Sequence, residues 1–367
     1  MNWEIIEEKA NHSIDLAESE AKWLLERREP EELNRLYQLA NRVNERLNGR
    51  VVSFIHNMNV NYTNICEYHC TFCEFKKSPI SKHAYILKFE DVKRALDQAE
   101  SELSEITFQG GLSPAVKFRE VLDLLSQIRK SYPALHFHAF SPEEIDYYAE
   151  ETDQTYLQVV AQCKEAGMNS MCGTAAEVLD DEVRRKICWE KISSDEWCEI
   201  IKTSHQLGMP STATILFGHV ETSQHVVNHF KRVSDLQRET HMITEFIPLL
   251  FMPDKTKLGR VIDKTMNRIE YAFKMIAAAR LYFMNDIRNI QTGWVKLGWE
   301  NALRSLSAGA NDMSGTLYHE NITREAGGEN GEYTPREKFI SEISKIGKIP
   351  VERDTLYSFQ HHFAHKN

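Results

Sequence analysis

Between residues 51 and 317 the chain alternates strand-like with helix-like segments, and this alternation limits the fold more than any other feature. Eight apolar runs bounded by turn residues predict strands, and an amphipathic, helix-like run follows nearly every one. Parallel neighbours need a crossover connection, so the alternation predicts an α/β barrel of the (β/α)8 type with helices outside. The predicted strands are 51–62, 105–111, 135–140, 168–177, 210–222, 241–250, 287–298 and 309–316.

Segments at both ends of the chain lie outside this alternation. Residues 1–50 carry two apolar helical stripes, which predict a helical cap before the barrel. We therefore divide the chain into that cap, a barrel over 51–317 and a C-terminal appendage over 318–367. In the appendage a glycine-rich loop precedes a predicted helix and an extended segment. The final HHFAHKN is expected to be a solvated tail rather than a weak metal site.

Charge and hydrophobicity exclude several classes of function. The net charge is -10 and no long lysine or arginine block occurs, so the positive face that nucleic acids require is not expected. The acidic, amphipathic N-terminus does not resemble a signal peptide, and no run of about 18 apolar residues predicts a membrane span. We expect a cytoplasmic enzyme that acts on small molecules. Four isolated cysteines are expected to be buried free thiols: Cys163, Cys172, Cys188 and Cys198.

Three cysteines lie in one short loop directly after the first predicted strand. Cys66, Cys70 and Cys73 have C-x3-C-x2-C spacing, and thiolates this close together can hold an iron–sulfur cluster. A four-iron cluster bound by three cysteines keeps one iron open to a small ligand, which makes the loop a candidate reaction centre. Two alternatives remain: a zinc knuckle with His69 as its fourth ligand, or three unrelated buried thiols.

The cysteine spacing, together with Phe72 just before the last cysteine, resembles the signature of the radical S-adenosylmethionine (SAM) superfamily. The resemblance implies a barrel of that kind with a 4Fe-4S cluster on the three cysteines, whose open iron binds SAM. It further implies cleavage of SAM to methionine and a 5'-deoxyadenosyl radical, with Phe72 near the adenine. By position, the family's SAM contacts are matched by Gly110, Gly111, Glu177, Gly218 and Glu221. Alternatively, the glycines could only form turns, and the two glutamates could only cap the helices that follow them.

Polar side chains near the predicted strand ends are candidates for substrate binding and catalysis, since the active sites of such barrels lie at that face. They are Asn59, Tyr62, His138, His219, Glu245 and Asp312. His138 or His219 is the hypothesised proton-transfer group, because histidine titrates near neutral pH. The structural alternatives are a hydrogen-bonded interior histidine, and an ion pair of Glu245 or Asp312 with Lys296 or Arg324.

Longer phrases narrow the resemblance to one branch of the superfamily. They include HFHAFSPEEI, MCGTAAEVLDDEVRRKIC, KISSDEW, GANDMSGTLYHENITREAGG and PVERDTLY, and the resemblance covers about residues 50–357. Within that branch the chain is most similar to the CofH-like subunits of deazaflavin (FO) synthase. The aminofutalosine and cyclic dehypoxanthinylfutalosine synthases of menaquinone biosynthesis are the nearest alternative. Glu74 and the loop FMPDKTKLG depart from the usual pattern of the branch.

Similarity to the CofH-like subunits implies a specific radical transfer. The adenosyl radical would cleave L-tyrosine between Cα and Cβ, and the 4-hydroxybenzyl group would be joined to C5 of 5-amino-6-(D-ribitylamino)uracil. The other products would be 2-iminoacetate, methionine and 5'-deoxyadenosine. The implied partners are these small molecules, an external electron donor and the companion radical SAM subunit of FO synthase. From a different class, a non-catalytic iron–sulfur or zinc-binding scaffold is the remaining alternative.

Overall fold

A computed structural model describes residues 1–99, 102–263 and 265–363. Within these residues there are ten strands: β1 Val51–Ile55, β2 Asn57–Asn61, β3 Glu105–Gln109, β4 His136–Ala139, β5 Ser170–Met171, β6 Ser211–Phe217, β7 Ile243–Leu250, β8 Asp312–Gly315, β9 Ile349–Arg353 and β10 Phe359–His362. Of the predicted solvated tail, residues 364–367 lie outside the described part of the chain.

The same described residues form fifteen α-helices and two short 3-10 helices. The α-helices are α1 Trp3–Asn11, α2 Glu18–Leu25, α3 Pro30–Asn48, α4 Phe89–Asp97, α5 Phe118–Ser131, α6 Pro142–Thr152, α7 Tyr156–Ala166, α8 Asp181–Ile187, α9 Ser194–Gln206, α10 Ser223–Thr240, α11 Arg268–Tyr282, α12 Trp294–Leu297, α13 Trp299–Ser305, α14 Asn321–Glu325 and α15 Arg336–Lys345. The 3-10 helices are Leu258–Arg260 and Leu306–Ala308.

The parallel strands form a closed ring. β2 to β7 pair side by side in chain order, and β1, which continues into β2 after His56, pairs with β8. Between β7 and β8 two residues take the place of a longer strand, because Ile290 pairs with Phe246 of β7 and Gln291 with Asp312 of β8. The ring therefore has eight parallel positions, which confirms the predicted (β/α)8 barrel.

Two predicted elements differ from the structure. The sequence predicts a seventh strand over 287–298, but only two residues there pair as strand residues, and Trp294–Leu297 is the short helix α12. One helical turn buries three of its four side chains, so the apolar run is compatible with either element. The sequence also predicts a single helix over 142–166, but the structure has two helices there, because Asp153 adopts a left-handed conformation (φ 52°) and ends α6.

The N-terminal helices pack on the outside of the ring. α3 buries the predicted apolar stripe from Leu33 to Val43 and packs against α11, while α2 packs against both α10 and α11. Asn44 of α3 donates a side-chain hydrogen bond to the Ala310 carbonyl oxygen (3.1 Å), which ties this helix to the segment before β8. None of the described helices is both long and apolar enough to cross a membrane.

The C-terminal segment adds a strand to the ring. β9 pairs in parallel with β1, and this pairing ends with Ile55 opposite Arg353. β10 pairs antiparallel with β9, and Phe339 of α15 stacks on Phe54 of β1 with ring centroids 4.9 Å apart. The chain thereby carries Arg353 into the barrel interior near Glu105 and Glu245, which lie where their strands begin. We call this end of the barrel the floor, and the end where the parallel strands finish the rim.

Candidate active site

The three cysteines lie together in the loop that follows β2. Cys66, Cys70 and Cys73 all line one cavity of about 190 Å³ at the rim, the cysteine cavity. Neighbouring segments fix the loop through backbone hydrogen bonds. The Glu67 amide donates to a carbonyl after β3 and the Thr71 amide donates to the last carbonyl of α8, each at 2.8 Å. The barrel therefore determines where the thiols lie.

Gly110 and Gly111 follow β3 and pack closely against this loop. A Cβ atom on Gly111 would lie 2.3 Å from the Ile65 carbonyl oxygen and 3.0 Å from Cys66 Cβ, so no larger residue fits without moving the loop. A Cβ atom on Gly110 would lie 2.3 Å from the Tyr62 ring. The two glycines allow this close approach, and both line the cysteine cavity.

Tyr62 packs against the turn formed by Gly110 and Gly111 and belongs to a hydrogen-bond network that includes this turn. Its hydroxyl donates to Glu144 Oε1 (2.8 Å) and lies 2.7 Å from the Tyr148 hydroxyl, while the Gly110 amide donates to the same Glu144 oxygen (3.0 Å). The other Glu144 oxygen accepts from the hydroxyl of Ser141 (2.8 Å). Burial raises the pKa of Glu144, although these hydrogen bonds oppose the rise. The structure thus places Tyr62 within a buried network rather than on the wall of the cysteine cavity.

A buried ion pair borders the cysteine cavity. Lys191 Nζ lies 2.8 Å from Glu177 Oε1 and 5.5 Å from the centre of the Phe72 ring. Burial alone would lower the pKa of Lys191, but Glu177, Cys70 and Glu143 raise it well above its ordinary value. Lys191 therefore keeps a positive charge beside the cysteines. Lys191 is the first residue of the phrase KISSDEW, but no local pattern marks it as a site residue.

Glu143 faces the same cavity with an incomplete set of hydrogen bonds. Its Oε2 atom is buried and has no hydrogen-bond partner among the described residues, and its Oε1 accepts one long bond from the Ile192 amide (3.4 Å). Burial raises the pKa of Glu143 to about 7. A bound polar ligand would satisfy this orphaned oxygen. Sequence reasoning missed Glu143, and the available signal was its position in the first turn of the helix after β4.

The residues of the cysteine cavity fit an iron–sulfur cluster that has a polar ligand. Burial raises the pKa of the Cys70 and Cys73 thiols, so they need a positively charged partner to ionise, which iron supplies. The described residues contain no group of three His, Cys, Asp or Glu side chains arranged around a single ion, which disfavours the zinc knuckle. His69, the proposed fourth zinc ligand, is exposed, and its Nδ1 lies 3.0 Å from Glu190 Oε1.

A second cavity of about 380 Å³, the barrel cavity, extends from the rim to the floor inside the ring. Asn59 and Glu177 both line it. The two cavities share wall residues: Phe72, Cys73, Gln109, Thr174, Ala175 and Ile322. Because of this common wall, a ligand in the cysteine cavity and a ligand in the barrel cavity would lie side by side.

Hydrogen-bonded polar residues line the lower barrel cavity. His138 Nδ1 lies 2.7 Å from Ser170 Oγ, and its Nε2 lies 3.4 Å from Thr212 Oγ1. Burial lowers the pKa of His138 to about 4, so its ring is neutral at neutral pH. Glu105 lines the same region and accepts a hydrogen bond from the Thr355 hydroxyl (2.7 Å). The predicted candidate His138 therefore faces a chamber that can donate and accept hydrogen bonds.

Arg353 forms the centre of an ion-pair network at the floor. Its Nε donates to Asp312 Oδ2 (2.6 Å), and its Nη2 lies 3.4 Å from Glu245 Oε2. The Tyr357 hydroxyl donates to the same Glu245 oxygen (2.6 Å). Burial raises the pKa of Glu245 to about 7, and the positive charge of Arg353 opposes that rise. Glu245 and Asp312, which the sequence predicts as site residues near the strand ends, are thus held by Arg353 of β9, a strand of the C-terminal segment.

The ion-pair partner inferred from the sequence is wrong. The sequence suggests an ion pair of Glu245 or Asp312 with Lys296 or Arg324. In the structure, the cation that pairs with both acids is Arg353. This contact depends on β9 lying beside β1, and no local pattern in the sequence indicates that arrangement. Glu245 lines the barrel cavity, whereas the completely buried Asp312 contributes to neither cavity wall.

The predicted residues at the end of β6 form a self-capped turn that lines neither of the two cavities. The Glu221 carboxylate accepts hydrogen bonds from the amides of Gly218 (2.6 Å) and His219 (2.9 Å). Both ring nitrogens of His219 are also engaged, because Nε2 donates to the Leu216 carbonyl oxygen (2.9 Å) and Nδ1 accepts from the Val220 amide (2.7 Å). This structure brings His138, but not His219, to the barrel cavity.

Comparisons with known proteins identify the family of this chain. The family profile of the radical SAM superfamily matches residues 60–233, and that of the CofH/MqnC C-terminal region matches residues 240–366. A relative from Archaeoglobus fulgidus, named 5-amino-6-(D-ribitylamino)uracil–L-tyrosine 4-hydroxyphenyl transferase, is 39% identical over 88% of this chain and 92% of its own length. A relative of the same name from Cyanothece sp. is 38% identical over 94% of both chains.

Solved structures show the same fold at much lower sequence identity. Methylornithine synthase (PylB) superposes with a TM-score of 0.72 at 19% identity, covering 94% of this chain and 97% of that one. The maturase HydG from Carboxydothermus hydrogenoformans superposes with a TM-score of 0.74 at 15% identity, covering 96% and 80%. With its profile matches and these close relatives, the chain belongs to the radical SAM superfamily, in the group that carries a CofH/MqnC C-terminal region.

Proposed function

We propose that this protein is a 5-amino-6-(D-ribitylamino)uracil–L-tyrosine 4-hydroxyphenyl transferase of deazaflavin biosynthesis. Relatives of that name match nearly the whole chain, and the observation that carries the proposal is the common wall between the cysteine cavity and the barrel cavity. The reaction breaks the Cα–Cβ bond of L-tyrosine and joins the 4-hydroxybenzyl group to C5 of the diaminouracil, with release of 2-iminoacetate. The adduct would pass to the companion radical SAM subunit of FO synthase.

The cysteine cavity is the proposed cofactor site. Cys66, Cys70 and Cys73 would hold a 4Fe-4S cluster with SAM beside it. When bound, these two groups would supply the one-electron chemistry that starts the reaction. Lys191 offers a cation for a carboxylate group, and the unpaired Glu143 Oε2 offers an acceptor for a hydroxyl or ammonium group. The chain itself places these groups and shields them from water.

The barrel cavity is the proposed site of both substrates. Its volume of about 380 Å³ lies in the range of small-molecule sites. Asn59, His138 and Glu245 line it and supply donors and acceptors for the uracil ring and the ribityl hydroxyls. The buried walls would hold the reacting carbons at a near-attack separation of about 3–3.5 Å and keep water from the reactive fragment.

His138 is the proposed proton-transfer residue. Its neutral ring can accept a hydrogen bond from the phenol or from an amine of the substrates, and its Nε2 makes only a long contact at 3.4 Å within the chain. His219 offers no comparable atom, since both of its ring nitrogens are hydrogen-bonded within the turn. Replacing each histidine with glutamine distinguishes the two candidates for proton transfer. His138→Gln is expected to lower adduct formation at unchanged iron content, and His219→Gln is the matched control.

The overall reaction is tested with anaerobically reconstituted enzyme. SAM, dithionite, L-tyrosine and the diaminouracil are supplied, and the adduct is measured by mass spectrometry. The expected result is an adduct that requires both substrates and disappears in Cys70→Ala. Turnover of a futalosine-pathway substrate without any tyrosine adduct would assign the enzyme to the menaquinone branch instead. A protein that binds a cluster but never cleaves SAM would be the non-catalytic scaffold.

A further inference from the structure

Two oppositely charged side chains line the barrel cavity without pairing with each other. Lys296 lies in α12 and Glu320 directly precedes α14. Their charged atoms are more than 4.0 Å apart, beyond salt-bridge distance. Thr323 lies between them, because its hydroxyl accepts from Lys296 Nζ (3.3 Å) and donates to Glu320 Oε1 (3.1 Å). The cavity wall therefore presents a cation and a carboxylate separated by a short gap.

Neither charge has another ionic partner nearby. Among the described residues no acid lies within 4.0 Å of Lys296 Nζ, and no basic group lies within that distance of the Glu320 carboxylate. Burial lowers the pKa of Lys296 and raises that of Glu320, and each charge opposes the shift of the other. The Glu320 carboxylate accepts hydrogen bonds from the Thr323 amide (3.1 Å) and hydroxyl, and the partly buried Lys296 donates to the same hydroxyl, but neither group has an oppositely charged partner. Two such charges in one cavity wall indicate a site that a ligand with both charges completes.

The two side chains lie at the end of the cavity that adjoins the cysteines. Both follow strand positions of the ring on the rim side, and Ile322, two residues after Glu320, lines both cavities. Glu177, which pairs with Lys191 beside the cysteine cavity, is close enough to Lys296 to raise its pKa against the effect of burial. A group bound between Lys296 and Glu320 would therefore lie beside the proposed cofactor site.

We propose that Lys296 binds the carboxylate and Glu320 the ammonium group of L-tyrosine, an assignment that rests on the proposed function. An α-amino acid carries both charges on one carbon, so it can bridge a cation and a carboxylate that are too far apart to pair directly. The phenol ring would then extend into the cavity toward the floor. The Cα–Cβ bond that breaks would lie at the cysteine end, and the benzyl carbon would face the second substrate.

The test uses ligands that lack one charge at a time. Dissociation constants for L-tyrosine, tyramine and 3-(4-hydroxyphenyl)propionate are measured on the reconstituted enzyme with SAM bound. Lys296→Met is expected to weaken L-tyrosine binding by about 10- to 100-fold and to abolish its preference over tyramine, which has no carboxylate. Glu320→Gln is expected to abolish the preference over the propionate, which has no amine. Lys296→Arg should restore most of the preference over tyramine.

Controls separate this assignment from other roles. Glu332→Gln removes an acid of the same segment that pairs with Arg324 outside the barrel cavity, and should leave all three constants unchanged. Equal weakening of all three ligands in the Lys296 and Glu320 variants would show a structural role and overturn the assignment. So would a loss of SAM affinity in these variants, which would place SAM there instead.

The wild-type enzyme separates this assignment from the proposed function. If it neither binds nor converts L-tyrosine, the proposed function fails. If it converts L-tyrosine while both variants keep the wild-type order of ligand preference, only the assignment of Lys296 and Glu320 fails.

Discussion

Replacing Arg353 with methionine would remove the only cation that pairs with two buried acids in the described part of the chain. Arg353 is 2% exposed, with Nε 2.6 Å from Asp312 and Nη2 3.4 Å from Glu245. Breaking a buried ion pair from one side costs about 3–5 kcal/mol, because the remaining charge stays buried without its partner. Asp312 keeps hydrogen bonds from Ser53 (2.6 Å) and the Ser314 amide (2.8 Å), so we expect a loss of about 3 kcal/mol in the free energy of unfolding.

The stability that the Arg353→Met variant loses should also depend on pH. Burial raises the pKa of Glu245 to about 7, and removing the opposing charge of Arg353 should raise it further. A carboxyl group whose pKa is raised in the folded state stabilises the fold below its unfolded pKa, and that contribution is lost as the pH rises through the folded pKa. The variant should therefore lose more stability relative to the wild type at pH 8.5 than at pH 6.

Urea unfolding of the apo-protein at pH 6, 7 and 8.5, followed by tryptophan fluorescence and circular dichroism, measures both effects. Arg353→Met combined with Asp312→Asn should recover part of the loss, since the double variant no longer buries an unpaired aspartate. Lys93→Met is the control. It breaks a half-exposed pair with Asp97 and should cost at most about 0.5 kcal/mol. A loss below about 1 kcal/mol with the wild-type pH profile would refute the reasoning.

Three further substitutions test the cysteine cavity. Gly111→Ala should sharply reduce iron bound on reconstitution, since its Cβ would meet the Ile65 carbonyl at 2.3 Å; wild-type iron content would contradict this. Tyr62→Phe should lower the free energy of unfolding by about 1–3 kcal/mol because buried Glu144 loses a donor, with substrate KM values unchanged; a KM effect alone would place Tyr62 in the substrate site. Glu143→Gln should stabilise the apo-protein relative to the wild type increasingly from pH 5 to about 7, by at most about 1.4 kcal/mol per pH unit, and by a constant amount above that, because burial raises the pKa of Glu143 to about 7; parallel thermal-unfolding profiles would contradict this.

The barrel could be predicted from the sequence because each strand and helix has its own local periodicity. Hydrophobic periodicity does not identify an element that is shorter than one or two repeats of its pattern. At the seventh ring position two residues, Ile290 and Gln291, complete the ring, and the apolar run after them is the helix α12. A run of four residues fits a helical turn as well as it fits a strand. Only the position of the neighbouring strands decides between them.

The cysteine loop and its glycine turn could also be predicted, since their spacing is local and their chemistry is specific. The charged residues deeper in the site could not. Arg353 lies 41 positions after its partner Asp312, and β9 brings it there by pairing with β1, the first strand of the barrel. From its local sequence, Lys296 is predicted only as an alternative ion-pair partner of Glu245 or Asp312. Such contacts depend on ring closure, which sequence periodicity does not encode.

The first half of the chain builds most of the cysteine cavity, and both halves line the barrel cavity. The segment matched by the radical SAM profile, residues 60–233, contributes the three cysteines, the glycine turn and the Glu177–Lys191 ion pair. The segment matched by the CofH/MqnC profile, residues 240–366, contributes Glu245, Lys296, Glu320 and Arg353 to the barrel cavity. In the proposed function, the first set holds the groups that start the radical reaction. Asn59 and His138 of the first segment also line the barrel cavity, so both segments should contribute to substrate choice. Exchanging the four side chains of the second segment should nevertheless change which molecule is consumed while SAM cleavage continues.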